Sequence, residues 1–335
     1  MIVSKFGGTS VGTFQAMQKS AEIVSEDVDR SFIVISATSG TTNDLVALMS
    51  PELDSTAREA IIIRIKERHL SIIQKLGSPE KAEISFKEEL TQLRQHLDQV
   101  ARDKRWKDRL VSFGELMSTK IFIEVLKESG VDAEWIDARE ILKTDSTFGN
   151  ATPDRGMLKK NLQKRIVTGK VFLTQGFIGS DVFGNTTTLG RGGSDFSAAL
   201  FAEAINADLL EIWTDVAGIY STDPRVVKAA RPIKEITFDE AAELSVFGGK
   251  VLHPATLKPA IRGKIDVRVS STSEPEKPGT LIVHESTEKP VVRALSLRKN
   301  QTLLTVRSLD MLHQYGFLAK LFQVLSDNKI SESIK

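Results

Sequence analysis

The sequence contains no cysteine, which excludes disulfide bonds and every mechanism that needs a thiolate. An excess of charge of one sign is lacking too, because 45 basic and 44 acidic side chains leave a net charge of +1. A nucleic-acid-binding protein normally carries a basic excess, so no nucleic-acid partner is expected. The longest apolar runs, AIII from Ala60 and LVALM from Leu45, fall far short of the ~20 residues of a membrane helix.

Histidine is scarce as well, and its five positions have no metal-ligand spacing: His69, His96, His253, His284 and His313. They predict neither a metal centre nor a histidine general base. The lack of cysteine and of an apolar targeting segment is typical of a cytoplasmic protein. We therefore expect a cytoplasmic protein that has no membrane partner.

The composition that remains is that of an ordinary globular protein, and 335 residues suffice for two domains. Short apolar runs alternate with amphipathic stretches. The runs predict buried strands at 2–6, 32–36, 133–137, 170–175, 209–214 and 266–271. The amphipathic stretches predict helices at 14–27, 43–50, 115–129, 157–167, 195–206, 238–246 and 254–262. This alternation indicates an α/β fold in which a mostly parallel sheet is sandwiched between helices.

Two intervals depart from the alternation. Residues 51–108 show helical spacing without a strand, which predicts two or three helices inserted as a lobe or lid; a long exposed hairpin without a role is the alternative. After a turn-rich segment near 272–290, a strand at 303–308 and a helix at 311–328 are expected. We therefore predict one domain at 1–290 and the start of a small α/β module at 291–335.

The N-terminal loop, KFGGTSVG, places Lys5 directly before Gly7 and Gly8. It matches neither G-x-x-x-x-G-K-[ST], because Thr13 follows Gly12, nor G-x-G-x-x-G. A helix that begins near Thr13 would still direct backbone amides at an anion, and Lys5 would add positive charge. A plain turn after a strand is the alternative.

Two further polar loops follow predicted strands. SATSGTTND at 36–44 leaves room for a ligand, although Thr42 or Asn43 could simply cap the next helix. WTDVAGIYSTDPRVV at 213–227 places several polar side chains in one loop: Thr214, Asp215, Tyr220, Asp223 and Arg225. Ligands of open parallel sheets bind at the carboxyl ends of strands. These loops therefore predict a shared binding site.

A third loop, TTTLGRGGSDFSAAL at 186–200, is rich in glycine. Gly190, Gly192 and Gly193 permit close approach of a ligand to the backbone. Arg191 among them is suited to a bidentate grip on a carboxylate. Asp195 stands where a helix begins, so it could also be a simple cap favoured by the helix dipole.

Glu115 and Lys250 are two further candidates whose roles the spacing leaves open. Glu115 follows Gly114 at the predicted start of a helix, where it could bind an ammonium group or only favour the helix dipole. Lys250 precedes a helix that begins near Pro254, and it could reach a phosphate or lie on the surface.

Five segments together resemble the aspartokinase family: KFGGTSV at 5–11, GELMST at 114–119, TTLGRGGSD at 187–195, WTDVAGIYSTDPRVV at 213–227 and KVLHPATL at 250–257. The resemblance runs from residue 2 to about 330, and residues 301–331 are similar to the lysine-sensitive, single-function branch. It implies the amino-acid kinase fold followed by ACT modules of ferredoxin type. It also implies transfer of a phosphoryl group from ATP with Mg²⁺ to the β-carboxylate of L-aspartate. That step leads to lysine or diaminopimelate, threonine and methionine.

The resemblance assigns a role to each matching residue. The catalytic pair is Lys5, beside the transferred phosphoryl group, and Asp195, which orients it. Arg191 binds the α-carboxylate of aspartate and Glu115 its ammonium group. The substrate pocket is completed by Thr42, Gly192, Gly193 and Ser194. The ATP site is expected to contain Lys5, Phe6, Gly7, Gly8, Thr9, Thr214, Asp215, Tyr220, Arg225, Lys250 and Val251. Mg²⁺ is expected on phosphate oxygens and water, without a dedicated carboxylate cage.

The family pattern continues through two complete ACT modules, whereas the stretch from Gln301 to Lys335 suffices for half of one. The homodimer of the family and its inhibitor site are therefore in question, and we expect this chain not to respond to lysine. Two alternatives stay open at this point. One is a kinase of the same fold that acts on acetylglutamate, glutamate or a nucleoside monophosphate; the other is a non-catalytic binding protein.

Overall fold

The computed structural model describes residues 1–97, 103–167, 169–246, 252, 254–286, 288, 290–297, 302, 304–306, 316–328 and 330. The chain divides into two compact units, Met1–Leu297 and Arg298–Lys335. No helix of the described part combines the length and the apolar character needed to cross a membrane.

The described residues of the first unit form ten strands: β1 (Ile2–Phe6), β2 (Arg30–Ile35), β3 (Ala133–Ile136), β4 (Val171–Gln175), β5 (Ile178–Ser180), β6 (Thr186–Thr188), β7 (Leu209–Thr214), β8 (Glu235–Thr237), β9 (Asp266–Ser271) and β10 (Thr280–Val283). They also form ten helices: α1 (Phe14–Ser25), α2 (Thr41–Ala47), α3 (Ser55–Ile73), α4 (Glu80–Leu97), α5 (Lys104–Glu128), α6 (Ala138–Ile141), α7 (Arg155–Gln163), α8 (Gly193–Ile205), α9 (Phe238–Val246) and α10 (Pro254–Gly263). All six strands predicted from the sequence are present.

Eight of these strands form one sheet in the order β3-β4-β2-β1-β7-β9-β10-β8. Every neighbouring pair is parallel except β9 and β10. Strands β5 and β6 form a separate antiparallel pair. The predicted parallel sheet is confirmed, and its central strands β2, β1 and β7 direct their carboxyl ends to the same edge.

Helices cover both faces of the large sheet, as the fold class predicts. Side chains alternate between the faces along each strand. Phe6 and Ile35 pack into one core together with residues of α1, α3, α4 and α5. Val3 and Val34 pack into a second core with residues of α7, α8 and α10. The strands are therefore buried on both faces, which explains their nearly continuous apolar sequences.

Helix α5 differs from its prediction, because it begins at Lys104 and not at residue 115. The carboxylate of Asp103 accepts a hydrogen bond from the Arg105 amide and caps this earlier start. Gly114 is therefore inside the helix, where a Cβ would lie 2.8 Å from the Cβ of Ala37. Glu115 lies mid-helix as a consequence, and the expectation of a first-turn glutamate is wrong.

The interval 51–108 is occupied by α3, α4 and the first turn of α5, and its described residues contain no strand. Ile65 of α3 and Phe86 of α4 are buried in the same core as the sheet residues of that face. That these helices act as a separate lobe or lid stays a prediction.

The second unit contains one helix among its described residues, α11 (Phe317–Asp327). It follows Gly316, whose φ is 80°, and ends at Asn328 as predicted. Residues 304–306 of the predicted strand at 303–308 are not in a strand, and its other positions lie outside the described residues. The start of an ACT-like module in 291–335 stays a prediction.

Candidate active site

Lys5 and Asp195 form an ion pair at the carboxyl end of β1. The Lys5 Nζ lies 2.6 Å from Asp195 Oδ1, and the two side chains are 10% and 17% exposed. Asp195 belongs to the first turn of α8, which packs against β1. The fold thus joins two residues that are far apart in sequence, and the predicted catalytic pair does lie together.

A cavity of about 420 Å³ opens beside this ion pair. All eight residues predicted for catalysis and substrate binding line it: Lys5, Thr42, Glu115, Arg191, Gly192, Gly193, Ser194 and Asp195. Gly8 of the predicted nucleotide loop lines it as well. Four separate stretches of the chain therefore meet at one site.

Glu115 supplies a buried carboxylate to the cavity, since its residue is only 3% exposed. Its Oε1 accepts a hydrogen bond of 3.2 Å from the Ala37 amide, whereas its Oε2 has no hydrogen-bond partner among the described residues. Burial raises the pKa of Glu115 to about 8, although the Ala37 amide and the charge of Lys5 oppose this rise. A cation that entered the cavity would compensate the buried charge.

Arg191 supplies positive charge at the exposed side of the cavity. It stands between Gly190 and Gly192, whose φ values of 78° and 71° lie in the region that favours glycine. Within the described part of the chain Arg191 makes no ion pair, so its guanidinium is available for an anionic ligand. Arg191 and Glu115 give the cavity one group of each sign.

The N-terminus of α8 forms the wall between Arg191 and Asp195. Its N-cap is Gly192, which brings no side chain to the first turn. A Cβ on Gly193 would lie 2.7 Å from the Phe177 ring, so only glycine allows this approach. Backbone amides and a glycine-rich surface are thus presented to the cavity.

The cavity is also lined by Gly190 of the glycine-rich loop, by five residues of the predicted ligand loop at 36–44, and by Phe177, which the sequence did not indicate; the five are Ser36, Ala37, Thr38, Ser39 and Gly40. Phe177 is the least expected, because its φ of 69° is rare for a non-glycine residue. The Phe177 amide donates a hydrogen bond of 3.1 Å to Ser197 Oγ. The one available signal was Gly176, which directly follows β4 and precedes Phe177.

The predicted nucleotide loops also meet at the edge of the sheet. Strands β1 and β7 are parallel neighbours with Phe6 opposite Trp213, so Gly7 follows one strand where Thr214 ends the other. The Gly7 amide donates a hydrogen bond of 3.0 Å to the Trp213 carbonyl. A Cβ on Gly8 would lie 2.7 Å from the Ala37 carbonyl oxygen, so Gly8 allows the loop after β1 to approach the loop after β2.

Phe6 requires a correction, because its side chain is fully buried in the core and stacks on Trp213 at a ring distance of 6.0 Å. The backbone of Phe6 is buried as well, and its carbonyl accepts a hydrogen bond of 3.2 Å from the Ser36 amide. Thr9 lies in the turn that follows, where its carbonyl accepts from the Gly12 amide.

Four further predicted nucleotide contacts lie at the end of β7 and in the loop that follows it, and none of these four described residues lines the 420 Å³ cavity. Thr214 Oγ1 donates to Asp215 Oδ1 at 3.1 Å. Tyr220 forms an isolated bridge with Pro232, and the exposed Arg225 is paired with Asp223 at 2.8 Å. The predicted contacts Lys250 and Val251 lie outside the described residues.

The arrangement can bind a zwitterion next to a phosphate. Lys5, Arg191 and the amides of the glycine loops attract negative groups, while Glu115 attracts a positive one. Because Lys5 lies between the cavity and the loop after β1, a phosphoryl group could be placed beside a bound acidic ligand.

Comparison with known proteins agrees with this chemistry. Residues 1–271 match the amino acid kinase family. The lysine-sensitive aspartokinase 3 of Escherichia coli K12 is 48% identical over 341 residues, which cover 99% of this chain and 75% of that protein. An aspartokinase of Chlamydia trachomatis is 38% identical over 310 residues, which cover 90% and 69%.

Solved structures lead to the same group of proteins. The crystal structure of E. coli aspartokinase III in complex with aspartate and ADP matches with a TM-score of 0.90 at 46% identity, covering 100% of this chain and 76% of that chain. Fold, sequence and site geometry thus agree, and the chain belongs to the amino acid kinase family and, within it, to the aspartokinases.

Proposed function

We propose that this protein transfers the γ-phosphoryl group of ATP to the β-carboxylate of L-aspartate and forms 4-phospho-L-aspartate. This reaction is the first step toward the amino acids made from aspartate. The observation that carries the proposal is the single cavity in which Lys5, Asp195, Arg191 and Glu115 meet. Each charged group of aspartate finds an opposite charge there.

The reaction needs no general base, since a substrate carboxylate with a pKa of about 4 is already ionised at neutral pH. Catalysis then depends on positioning and on neutralising the charge of the transferred group. Lys5 supplies the neutralising charge, and Asp195 holds its ammonium in place through the 2.6 Å ion pair. None of the described residues that line the cavity is a histidine, which fits this chemistry.

Two residues of opposite charge select the free amino acid. Arg191 binds the α-carboxylate, and Glu115 binds the α-ammonium group through its Oε2, which has no hydrogen-bond partner in the described part of the chain. Thr42, Ser194 and the backbone of Gly192 and Gly193 complete the pocket. An acetylated amino acid has no ammonium group, so it would form no ion pair with Glu115.

ATP is placed with its phosphates on the loop of Gly7, Gly8 and Thr9, beside Lys5. The rest of the nucleotide contacts residues at the end of β7 and in the loop that follows: Thr214, Asp215, Tyr220 and Arg225. Lys250 and Val251 are further predicted contacts. The Mg²⁺ that accompanies ATP would be held by phosphate oxygens and water. This fits the donor set, because the described residues hold no group of three or more acidic, histidine or cysteine side chains suited to a metal ion.

The test is a hydroxylamine-trapping assay for an acyl phosphate with ATP, Mg²⁺ and one acceptor at a time. We expect hydroxamate with L-aspartate, much less with L-glutamate, and essentially none with N-acetyl-L-glutamate. No hydroxamate with L-aspartate would overturn the proposed function. Hydroxamate with acetylglutamate in preference to aspartate would favour the alternative kinase.

Regulation, assembly and location stay predictions. The E. coli relative is named for its sensitivity to lysine, and titration of lysine into the same assay tests our expectation that this chain does not respond. Sedimentation tests the homodimer expected for the family. The cytoplasmic location stays a prediction as well.

A further inference from the structure

Asp108 is a buried carboxylate on α5, two helical turns before Glu115, and its residue is 4% exposed. Its Oδ2 accepts hydrogen bonds from two backbone amides, Gly149 at 2.9 Å and Thr188 at 2.7 Å. We propose that Asp108 is a positioning residue that fixes the separation of Glu115 and Arg191, and so selects a ligand whose ammonium and carboxylate groups stand on one carbon atom, as in an α-amino acid. This inference rests on the proposed function.

The first amide that Asp108 holds belongs to a stiff loop. Asp145 Oδ1 accepts from the amides of Thr147 and Thr152 at 3.1 and 2.9 Å, and the Asn150 amide donates to the Thr147 carbonyl at 3.1 Å. The loop at 145–152 therefore moves as one piece. Fixing Gly149 fixes the loop.

That loop packs directly against the residue that precedes Arg191. A Cβ on Gly190 would lie 2.8 Å from Asn150 Oδ1 and 3.1 Å from the Gly149 carbonyl oxygen. The Ala151 amide also donates to the Thr188 carbonyl at 2.9 Å. The glycine-rich segment that carries Arg191 is thus located by this loop.

The second amide, that of Thr188, closes the arrangement from the other side. Thr188 is the last residue of β6, three positions before Arg191. Asp108 Oδ2 is therefore hydrogen-bonded both to strand β6, which leads to Arg191, and to the loop at 145–152, which packs beside the Arg191 segment.

Helix α5 joins this anchor to the other end of the ligand site. Residues seven apart on an α-helix lie on the same face, about 10 Å apart along the axis. Glu115 is thus rigidly linked to Asp108, and through it to Arg191. The separation of the two charged groups follows from one helix and two hydrogen bonds.

Burial of Asp108 raises its pKa, and the amides of Gly149 and Thr188 lower it only in part. An apolar residue at this position would avoid that cost of burial but leave the buried Thr188 amide and the more exposed Gly149 amide without this acceptor. The carboxylate therefore has a specific use as an acceptor for both amides.

The test compares Asp108→Ala with Asp108→Asn in the full chain. Measured quantities are kcat, the KM values for aspartate and ATP, the Ki of 3-aminoglutarate as a competitor, and thermal unfolding. In Asp108→Ala we expect the KM for aspartate to rise at least tenfold, with the KM for ATP changed less than threefold. The ratio of 3-aminoglutarate Ki to aspartate KM should fall, because a relaxed separation of Glu115 and Arg191 accepts one more methylene between the ammonium-bearing carbon and the carboxylate. Asp108→Asn keeps an acceptor oxygen and should restore most of the selectivity.

Leu162→Ala is the matched control, because Leu162 is fully buried on α7 and lines no part of the cavity. It should lower the unfolding temperature without changing the selectivity ratio. If Asp108→Ala does not fold, Asp108→Ser carries the test, because its hydroxyl is too short to hold both amides. If the wild type is active and these variants have the same selectivity ratio as the wild type, this inference alone is overturned. A wild type that forms no aspartyl hydroxamate overturns the proposed function as well.

Discussion

At the scale of single residues, Glu115 is the group that the fold changes most. Burial raises its pKa to about 8 from an ordinary value of 4.5, so in the empty cavity it is largely protonated at pH 7. Protonation neutralises the charge that would bind an ammonium group. A ligand ammonium favours the ionised form and should therefore expel the proton.

We predict that the affinity for aspartate rises with pH, by up to about tenfold per pH unit below 8. The KM for aspartate should accordingly fall between pH 6 and pH 8. Calorimetry at pH 7 in two buffers of different ionisation enthalpy should show proton release on binding. Glu115→Gln should bind aspartate weakly and without this proton release. Binding to the wild type with no proton exchange would contradict the role of Glu115.

Lys5 is the residue on which the rate depends most directly. Lys5→Ala removes the charge beside the transferred group, and we expect kcat to fall by at least about 10²–10³-fold, the effect of losing one transition-state donor. Circular dichroism should show a folded variant, because the site lies at the end of β1. Lys19→Ala is the control, since the exposed Lys19 donates a hydrogen bond to the Ser273 carbonyl and lines no part of the cavity among the described residues. A Lys5→Ala variant with nearly normal kcat would refute the assignment.

At the scale of elements, the sequence predicts the long strands and misses the short ones. The six strands predicted from apolar runs have four to six residues in the structure. Of the four strands that were not predicted, β5, β6 and β8 have three residues each, which is too few to show a periodic pattern, and β10 has four. Yet β6 ends at Thr188, whose amide Asp108 holds. This part of the site could not be predicted from periodicity.

The start of α5 was mispredicted for a different reason. Its first turns carry Lys104, Arg105 and Lys107 on the surface and resemble the preceding polar interval. Gly114 then suggests a boundary, although it serves close packing against Ala37. Tertiary packing thus overrides the local preference of glycine. Glu115 was nonetheless found, because its motif, and not its helix position, carried the assignment.

An ion pair joins helix α3 to helix α2, whose Thr42 lines the cavity. Arg68 Nη1 lies 2.8 Å from Asp44 Oδ2 and donates to Thr41 Oγ1 at 3.2 Å, at the start of α2. Burial alone would raise the pKa of Asp44, but hydrogen bonds from Arg64 and Arg68 hold it below its ordinary value. Gly40, which lines the cavity, lies against the Arg68 guanidinium.

We predict that Arg68→Met lowers the free energy of unfolding by about 1–3 kcal/mol, because it removes a hydrogen-bonded partner of a buried carboxylate. It should also raise the KM for aspartate more than that for ATP. Arg64→Met is the matched control, since Arg64 also binds Asp44 but is 54% exposed against 21% for Arg68. Urea unfolding and steady-state kinetics check both effects. Equal losses of unfolding free energy in the two variants would contradict the prediction that the more buried arginine contributes more to stability.

At the scale of the whole molecule, the topology explains why the site residues are so widely spaced in sequence. Strand β1 lies between β2 and β7, so the loops after residues 6, 35 and 214 meet at one edge. The sequence predicts a parallel sheet, and general experience predicts a site at its carboxyl edge. The strand order itself depends on which faces pack together, which short-range patterns do not contain. The resemblance to the family supplied what periodicity could not.

The first compact unit ends later in the chain than the predicted domain boundary. The sequence predicts a boundary at 290, whereas the compact unit extends to Leu297. The additional residues are tied to that unit: the Leu295 amide donates to the Ser221 carbonyl at 2.7 Å, and Arg293 pairs with Glu240 at 3.1 Å. The Arg293 side chain is only 10% exposed.

We therefore predict that a chain ending at Leu297 folds and keeps its kcat and both KM values within about threefold, because every described residue of the proposed site precedes that position and distant changes usually cost ~0.5 kcal/mol or less. A chain ending at Pro290 is the control. It should unfold at lower urea concentration, because Glu240 loses its partner Arg293 and Ser221 loses the amide of Leu295. Hydroxamate assays and urea unfolding on both chains make the comparison. If the two chains proved equally stable, residues 291–297 would not belong to the catalytic unit; an unfolded 1–297 chain would show that the unit needs residues beyond Leu297.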